Sequence, residues 1–272
     1  MLLTEKDIKK FQKKILSYYN KEGRDLPWRK TKNPYHILVS EIMLQQTQVD
    51  RVIPKYKTWI KKFPTVSTLA QASFKEVLLY WQGLGYNRRA KFLQAAAQKI
   101  STVYKGRLPQ TIDHLKTLPG IGPATAASIS AFAFNQPTVF LETNIRSVLI
   151  REFFPEQDLV DDQELYPVAE QVLYRKDPRR WYNALMDYGT LLKQTENHSR
   201  RSKTYTKQSK FSGSDREIRG KILKLLLQQN YSEKKLLQSI NKEPSRIKKI
   251  IQQLRTEGFI AEQPKKTYSI VI

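Results

Sequence analysis

Apolar residues recur at three- and four-residue spacing along most of this chain, the pattern of helices that bury one face. Ile8, Phe11, Ile15 and Tyr18 form one such stripe, and Leu69, Ala70, Val77, Leu78 and Trp81 extend the pattern further along. No alternating strand pattern interrupts residues 5–192, so an all-α domain is predicted, assigned to residues 1–193. Over residues 194–214 the apolar pattern stops, and Arg200, Arg201, Lys203, Lys207 and Lys210 follow one another. That stretch reads as a basic linker or as an arm laid along phosphates. Helical spacing resumes in Ile218, Ile222, Leu225 and Leu226, then in Leu236, Leu237 and Ile240, and again in Ile247, Ile250, Ile251 and Leu254. Residues 259–261 and 268–272 flank a polar turn at 262–266 and read as a hairpin. Three helices and a hairpin are the order of a small winged helix-turn-helix domain, expected over residues 215–272. Arg246, Lys248, Lys249 and Arg255 on its third helix suit groove or phosphate contacts.

Charge sharpens this picture. The 272 residues carry 48 Lys plus Arg against 25 Asp plus Glu, a net charge of +23. A surplus of that size repels itself and points to a polyanionic partner, with nucleic acid ahead of an anionic membrane surface. No run of about 18 apolar residues occurs and the start of the sequence has no signal-peptide core, so a cytoplasmic, nucleoid-associated protein is expected. The chain has no cysteine, which excludes disulfides, thiolate zinc sites, cysteine nucleophiles and thiolate-held iron–sulfur clusters. The three histidines, His36, His114 and His198, lack metal-site spacing. No metal or other cofactor is expected, and carboxylates must carry any acid–base chemistry.

Residues 118–125 read LPGIGPAT, between a short helix ending near Thr117 and a small-residue helix over residues 123–134. Gly120 and Gly122 let the backbone around Ile121 approach a partner, and Pro123 suits the first turn of a helix. The backbone N–H groups and the positive end of that helix make a site for a phosphate. A plain structural cap has the same local sequence.

Four segments together resemble the helix-hairpin-helix base-excision glycosylases. They are this hairpin, LPWRKTKNPYHILVSEIMLQQTQV at 26–49, WQGLGYNRRAKFL at 81–93 and LETNIRSVL at 141–149. The likeness covers about residues 8–192 and is strongest to adenine glycosylases of the MutY type. It implies a two-lobed helical domain with a deep cleft, in which a nucleotide flipped from the duplex is held. It also implies roles for particular residues. Glu41 matches the catalytic glutamate, whose burial would raise its pKa and make it a proton donor near neutrality. Gln46 matches the wedge that fills the gap left by the flipped base, with Thr47 beside it. Leu84 and Tyr86 match positions that contact the opposite-strand base. Trp28 and Arg29 fall at the base-pocket entrance, and Asn183 where relatives read the base edge.

Three departures qualify the likeness. Relatives read DGN where this chain reads Glu142, Thr143 and Asn144, so the carboxylate that would stabilise the sugar cation sits one methylene further out. A shift of about 1 Å can cost on the order of a hundredfold in rate, which favours uracil, an easier leaving group. Ala124 stands where bifunctional relatives carry a Schiff-base lysine, so hydrolysis without lyase chemistry is expected. The cluster cysteines do not occur in these residues, no 8-oxoguanine-reading domain is expected, and Arg200 and Arg201 are candidates to replace the cluster loop on double-stranded DNA. The expectation is a monomeric, monofunctional glycosylase, with uracil ahead of adenine opposite guanine or 8-oxoguanine and thymine opposite guanine third. A lesion-binding protein without chemistry is the alternative of another class.

Overall fold

Helices account for most of the molecule, as the periodicity requires. The structure, a computed structural model, describes residues 2–271; Met1 at the start of the sequence and Ile272, expected to close the last strand, lie outside them. In chain order come α1 (Glu5–Glu22), α2 (Pro34–Leu44), α3 (Val49–Lys62), α4 (Val66–Gln71), α5 (Phe74–Trp81), α6 (Arg88–Thr102), α7 (Ile112–Lys116) and α8 (Pro123–Phe134). They are followed by α9 (Thr143–Phe153), α10 (Asp162–Gln171), α11 (Pro178–Thr195) and α12 (Asp215–Gln228). The rest is β1 (Tyr231–Ser232), α13 (Glu233–Ser239), α14 (Pro244–Thr256), β2 (Ile260–Gln263) and β3 (Thr267–Ile270). No helix of the described residues is long and apolar enough to cross a membrane.

The chain divides into two compact units, residues 1–41, 108–117 and 121–207, and residues 42–107, 118–120 and 208–272. The last boundary falls inside the stretch read as a linker, and residues 208–272 group with 42–107 instead of standing alone. The first unit is built around α8, whose small residues Ala126, Ala127, Ser128, Ser130 and Ala131 are buried along with Ile129. A helix of small side chains on every face can be surrounded closely by others. Phe11 of α1 meets Trp181 of α11 and Phe153 of α9 edge to face, with ring centroids 5.7 and 4.9 Å apart. Gly189 lets α11 approach the start of α9, because a Cβ there would lie 2.5 Å from the carbonyl oxygen of Asn144.

A polar knot fastens the same unit. Asp187 of α11, only 2% exposed, takes Arg29 in a two-pronged pair at 2.7 and 2.7 Å. It also accepts from the Arg24 guanidinium at 2.6 Å and from the Arg24 backbone N–H at 2.8 Å. Burial pushes the Asp187 carboxyl up, but the Arg29 and Arg24 charges and the backbone N–H outweigh it and hold the group below its ordinary value.

In the second unit Trp59, Trp81 and Phe63 form an edge-to-face cluster, with centroids 5.5 Å apart for the two tryptophans and 4.9 Å for Trp59 and Phe63. The C-terminal segment supplies three helices and the expected hairpin, β2 pairing antiparallel with β3. The two-residue β1, too short to leave a sequence pattern, adds a third strand in the order β1-β3-β2. Phe259 packs on Phe74 of α5 at 5.5 Å. Glu257 accepts from Arg88 of α6 and Arg219 of α12, which hold its carboxyl down to about 2. Of the basic residues on α14, Arg246, Lys248 and Arg255 face Asp215, Glu233 and Glu262 at 2.6, 3.9 and 2.7 Å.

Removing one member of a buried ion cluster leaves uncompensated charge, at a cost of about 3–5 kcal/mol. Asp187→Ala is therefore expected to lower stability by about that amount in urea titration; a loss under about 1 kcal/mol would show that Arg24 and Arg29 do not depend on it.

Candidate active site

The first unit brings together the two acids singled out in the sequence. Glu41 sits on α2 among buried Leu38, Val39 and Ile42, with part of its own surface accessible. Its Oε2 lies 2.6 Å from the hydroxyl of Ser128 on α8, and that hydroxyl is also 3.0 Å from the carbonyl oxygen of Thr125. One hydroxyl has one proton. Facing an ionised Glu41 it donates to the carboxylate; facing a protonated Glu41 it accepts from the acid and donates to Thr125. The site can thus hold either protonation state. Loss of water raises the Glu41 pKa to about 7; the Ser128 hydrogen bond opposes this, and the charge of Glu142 adds to it.

Glu142 has a different environment. It is the N-cap of α9, and its Oε1 accepts from the backbone N–H groups of Asn144 at 2.7 Å and Ile145 at 3.0 Å. Asn144 Nδ2 donates to Oε2 at 3.3 Å. Burial raises the Glu142 pKa, while Lys193 leads the influences that favour its charged form. Lys193, on the last turn of α11, went unnoticed in the sequence because 51 positions separate it from Glu142; burial lowers its own pKa and Glu142 opposes this. Ser128 was missed as well, hidden among the small residues of α8.

The remaining base-pocket candidates are distributed unevenly. Trp28 and Asn183, each 8% exposed, line the interior of the first unit. Arg29, expected at a pocket entrance, is instead committed to Asp187, because a buried guanidinium takes the nearest carboxylate. Ala124 is exposed in the first turn of α8 and presents no amine. In the hairpin, Gly120 has φ +78 and a Cβ there would meet Phe92 at 2.7 Å, so glycine is required on both counts. Ile121 is buried, while Gly122, the N-cap of α8, is exposed with its backbone free of any side chain of its own. This is the arrangement a phosphate site needs.

In the second unit one arginine organises the two expected DNA-contacting turns. Arg89 is buried, and its Nη1 donates to the carbonyls of Ile42, Met43 and Gln45 at 2.8, 2.9 and 2.5 Å. Its Nη2 donates to Thr47 Oγ1 at 2.9 Å and to the carbonyls of Leu84 and Gly85 at 3.1 and 3.3 Å. Burial lowers its pKa to about 10, which leaves it charged. Gln46 and Tyr86, one on each turn, adopt φ +55 and +45, values that side-chain-bearing residues seldom take. Gln46 is exposed and Tyr86 half-buried. Leu84, expected beside DNA, is corrected to a core residue at 2% exposure: the turn places its side chain inward and its carbonyl on Arg89.

The basic stretch is also partly spent. Arg201, expected on phosphates, donates to the carbonyls of Phe154, Pro155 and Gln157, the last at 2.8 Å from Nε. His198, Ser199 and Ser202 are buried, and Ser202 forms a parallel bridge with Val160. Residues 198–203 are therefore anchored structure, and Arg200 stays exposed. With no thiolate in the chain, this segment does not fit an iron–sulfur cluster of the kind the family resemblance implies after the last core helix.

A model of HhH-GPD superfamily base excision DNA repair proteins matches residues 39–166. The chain is 36% identical over 243 residues to the adenine DNA glycosylase of Mycolicibacterium smegmatis, covering 78% of each. It is 38% identical over 196 residues to the adenine DNA glycosylase of Rattus norvegicus, covering 67% of this chain and only 38% of the rat protein. Among solved structures, a thermostable thymine-DNA glycosylase superposes with a TM-score of 0.62 at 26% identity, over 70% of this chain and 89% of that one.

The burial of Glu41 is testable without any substrate. Its raised pKa means that the folded state holds the neutral acid; that stability is complete below about 4.5 and is lost as pH rises through about 7. Glu41→Gln, which cannot ionise, is expected to gain about 2.5 kcal/mol on wild type between pH 5 and pH 8.5, at about 1.36 kcal/mol per pH unit. Parallel stability–pH curves in denaturant titrations would contradict the burial.

Proposed function

The chain belongs to the HhH-GPD superfamily of base excision DNA repair proteins, and we propose that it is a monofunctional DNA glycosylase that hydrolyses mispaired adenine from duplex DNA. The observation that carries this reading is the unlike treatment of Glu41 and Glu142. Burial raises both carboxyls, but Glu41 keeps its proton to about pH 7 with one hydroxyl beside it, whereas Lys193 and two helix N–H groups oppose the rise at Glu142 and favour its charged form. Two carboxyls whose environments drive them apart are suited to be acid and stabiliser in one reaction.

Adenine departs slowly unless a ring nitrogen is protonated. The Glu41 proton goes to that nitrogen as the C1′–N bond breaks and its electron pair leaves with the base. Negative Glu142 faces the cationic sugar, and water forms the new bond to C1′ while its proton passes to Glu142. Neutral Asn144 orients the Glu142 carboxylate. Gly120, Ile121 and Gly122 take a phosphate, Gln46 fills the vacated stack with Thr47 beside it, and Trp28 and Asn183 bound the base pocket. Arg200 is available to the DNA backbone. Both acids come from one chain, so a monomer suffices.

The argument for uracil weakens. It took the longer Glu142 side chain to favour an easier leaving group, but the carboxylate accepts from the i+2 and i+3 amides, which supports its being held in one place despite the extra methylene. The relatives named as adenine glycosylases support adenine further. Ala124 supports hydrolysis without a Schiff base.

The test is a panel of labelled duplexes with A·G, A·8-oxoguanine, U·G and T·G. Strand breaks are expected at adenine and only after alkali; breaks without alkali would reveal a lyase. Cleavage confined to U·G or T·G would overturn the choice of base, and tight binding with no excision would favour a lesion-binding protein. Glu41→Gln and Glu142→Gln are each expected to reduce excision about a hundredfold, as loss of acid–base or electrostatic assistance does. The rate should fall as pH rises through about 7, where Glu41 loses its proton. Ser128→Ala removes a hydrogen bond that favours ionised Glu41, so that limb should move to higher pH; a limb unmoved by the substitution would detach Ser128 from the acid.

A further inference from the structure

Phe11 meets both Trp181, near the start of α11, and Phe153, at the end of α9, so those two ends are neighbours. Gly189, about two turns further along α11, lies against Asn144 at the opposite end of α9. The helices are therefore antiparallel, and α11 continues past the first turn of α9. Lys193 follows Gly189 by four residues, which keeps it on the same face and carries it about 6 Å onward. Glu142 precedes Asn144 by two residues, so this register brings the half-buried Lys193 to the carboxylate that caps α9. Each charge also occupies the helix end that favours it, the ammonium on the last turn of α11 and the carboxylate at the N-terminus of α9.

The neighbouring charges are engaged elsewhere or work against ionisation of Glu142. Arg146, one turn into α9, favours that charge but is held by Asp162 of α10 at 2.8 and 2.7 Å, with Tyr166 near it. In the 198–201 turn packed on α9, burial lowers the His198 pKa, Arg201 is spent on carbonyls and Arg200 is exposed. Arg151, further along α9, lies 3.5 Å from Nε2 of His198. Asp187 of α11 is taken by Arg24 and Arg29, and Glu41 adds a second acid. Lys193 is the leading influence toward charge on Glu142, and Glu142 in turn opposes the effect of burial on Lys193. We propose that Lys193 is a positioning residue that keeps Glu142 ionised at neutral pH, so that Glu41 alone carries the proton of the two acids. A cation beside the sugar gives no direct help to a cationic transition state, since like charges repel. Its use lies in the charge state of Glu142. The consequence for excision rests on the glycosylase reading; the consequence for Glu142 does not.

The experiment follows the Glu142 carboxyl in the full chain by carbon NMR with labelled glutamate, assigned through Glu142→Gln. Lys193→Met keeps the length of the side chain and removes its charge. It is expected to raise the Glu142 midpoint by about one pH unit, the low end for losing a nearby opposite charge. Lys193→Arg should bring the midpoint back toward its wild-type value. Lys176→Met, exposed just before the start of α11, should leave it unmoved. Excision of adenine from an A·G duplex in single turnover should slow about tenfold on the acid side of the profile and converge on wild type as Glu142 ionises. Should Lys193→Met fail to fold, Lys193→Gln carries the same expectations.

An unmoved Glu142 midpoint in the folded Lys193→Met protein would overturn the inference. So would a rate lowered equally at every pH, which would reduce Lys193 to a structural or phosphate contact. The two readings fail separately: a shifted midpoint in a chain that excises nothing defeats only the glycosylase, and adenine excision with an unmoved midpoint defeats only this inference.

Discussion

Two carboxyl groups partly withdrawn from water and within range of each other's charge cannot both ionise cheaply near neutrality. That constraint governs the first unit. Glu41 is placed on an apolar helix with one hydroxyl for company, and Glu142 at a helix end where backbone N–H groups meet it. The fold serves the difference between them. Small residues along α8 bring Ser128 to Glu41, and Gly189 lets α11 settle against the residues that carry Glu142 and Asn144. The Asp187 knot fastens α11 to the 24–29 segment, so the acids rest on elements that are tied internally.

The second unit applies one device twice. A charged side chain, buried in one case and half-buried in the other, is surrounded by fixed dipoles or opposite charge, and neighbouring segments are pinned to it. Arg89 collects carbonyls from two turns and presents the strained residues Gln46 and Tyr86. Glu257 collects Arg88 and Arg219 and so docks the C-terminal segment against α6. Pre-organised, strained turns of this kind are poor choices for stability alone and suit a surface that must meet a partner in one geometry.

What the sequence made legible was local. Helical stripes, the Gly-rich hairpin and an acid among apolar neighbours all show within ten or so residues, and Glu41 stands out from a core carboxylate only through the family motif around it. What it hid was long-range pairing. Arg29 looked like a pocket residue because nothing nearby announces Asp187, 158 positions on. Arg201 looked free because backbone carbonyls have no letter in a sequence. The same blindness concealed Ser128 beneath a run of alanines and Lys193 on a helix far along the chain from Glu142. Glu142 illustrates a different gap: its length is read from the sequence, but the hydrogen bonds by which it caps α9 are not.

The central claim, that Glu41 keeps its proton close to neutrality because water is excluded and Glu142 is charged, is open to direct observation. Infrared difference spectra of the protein with labelled glutamate carboxyls, assigned through Glu41→Gln, would follow the protonated carbonyl stretch against pH. The account predicts a signal that disappears near pH 7 and disappears at lower pH in Glu142→Gln, where the neighbouring charge is gone. A Glu41 signal already lost at about 4.5, the ordinary value, and indifferent to residue 142 would contradict it.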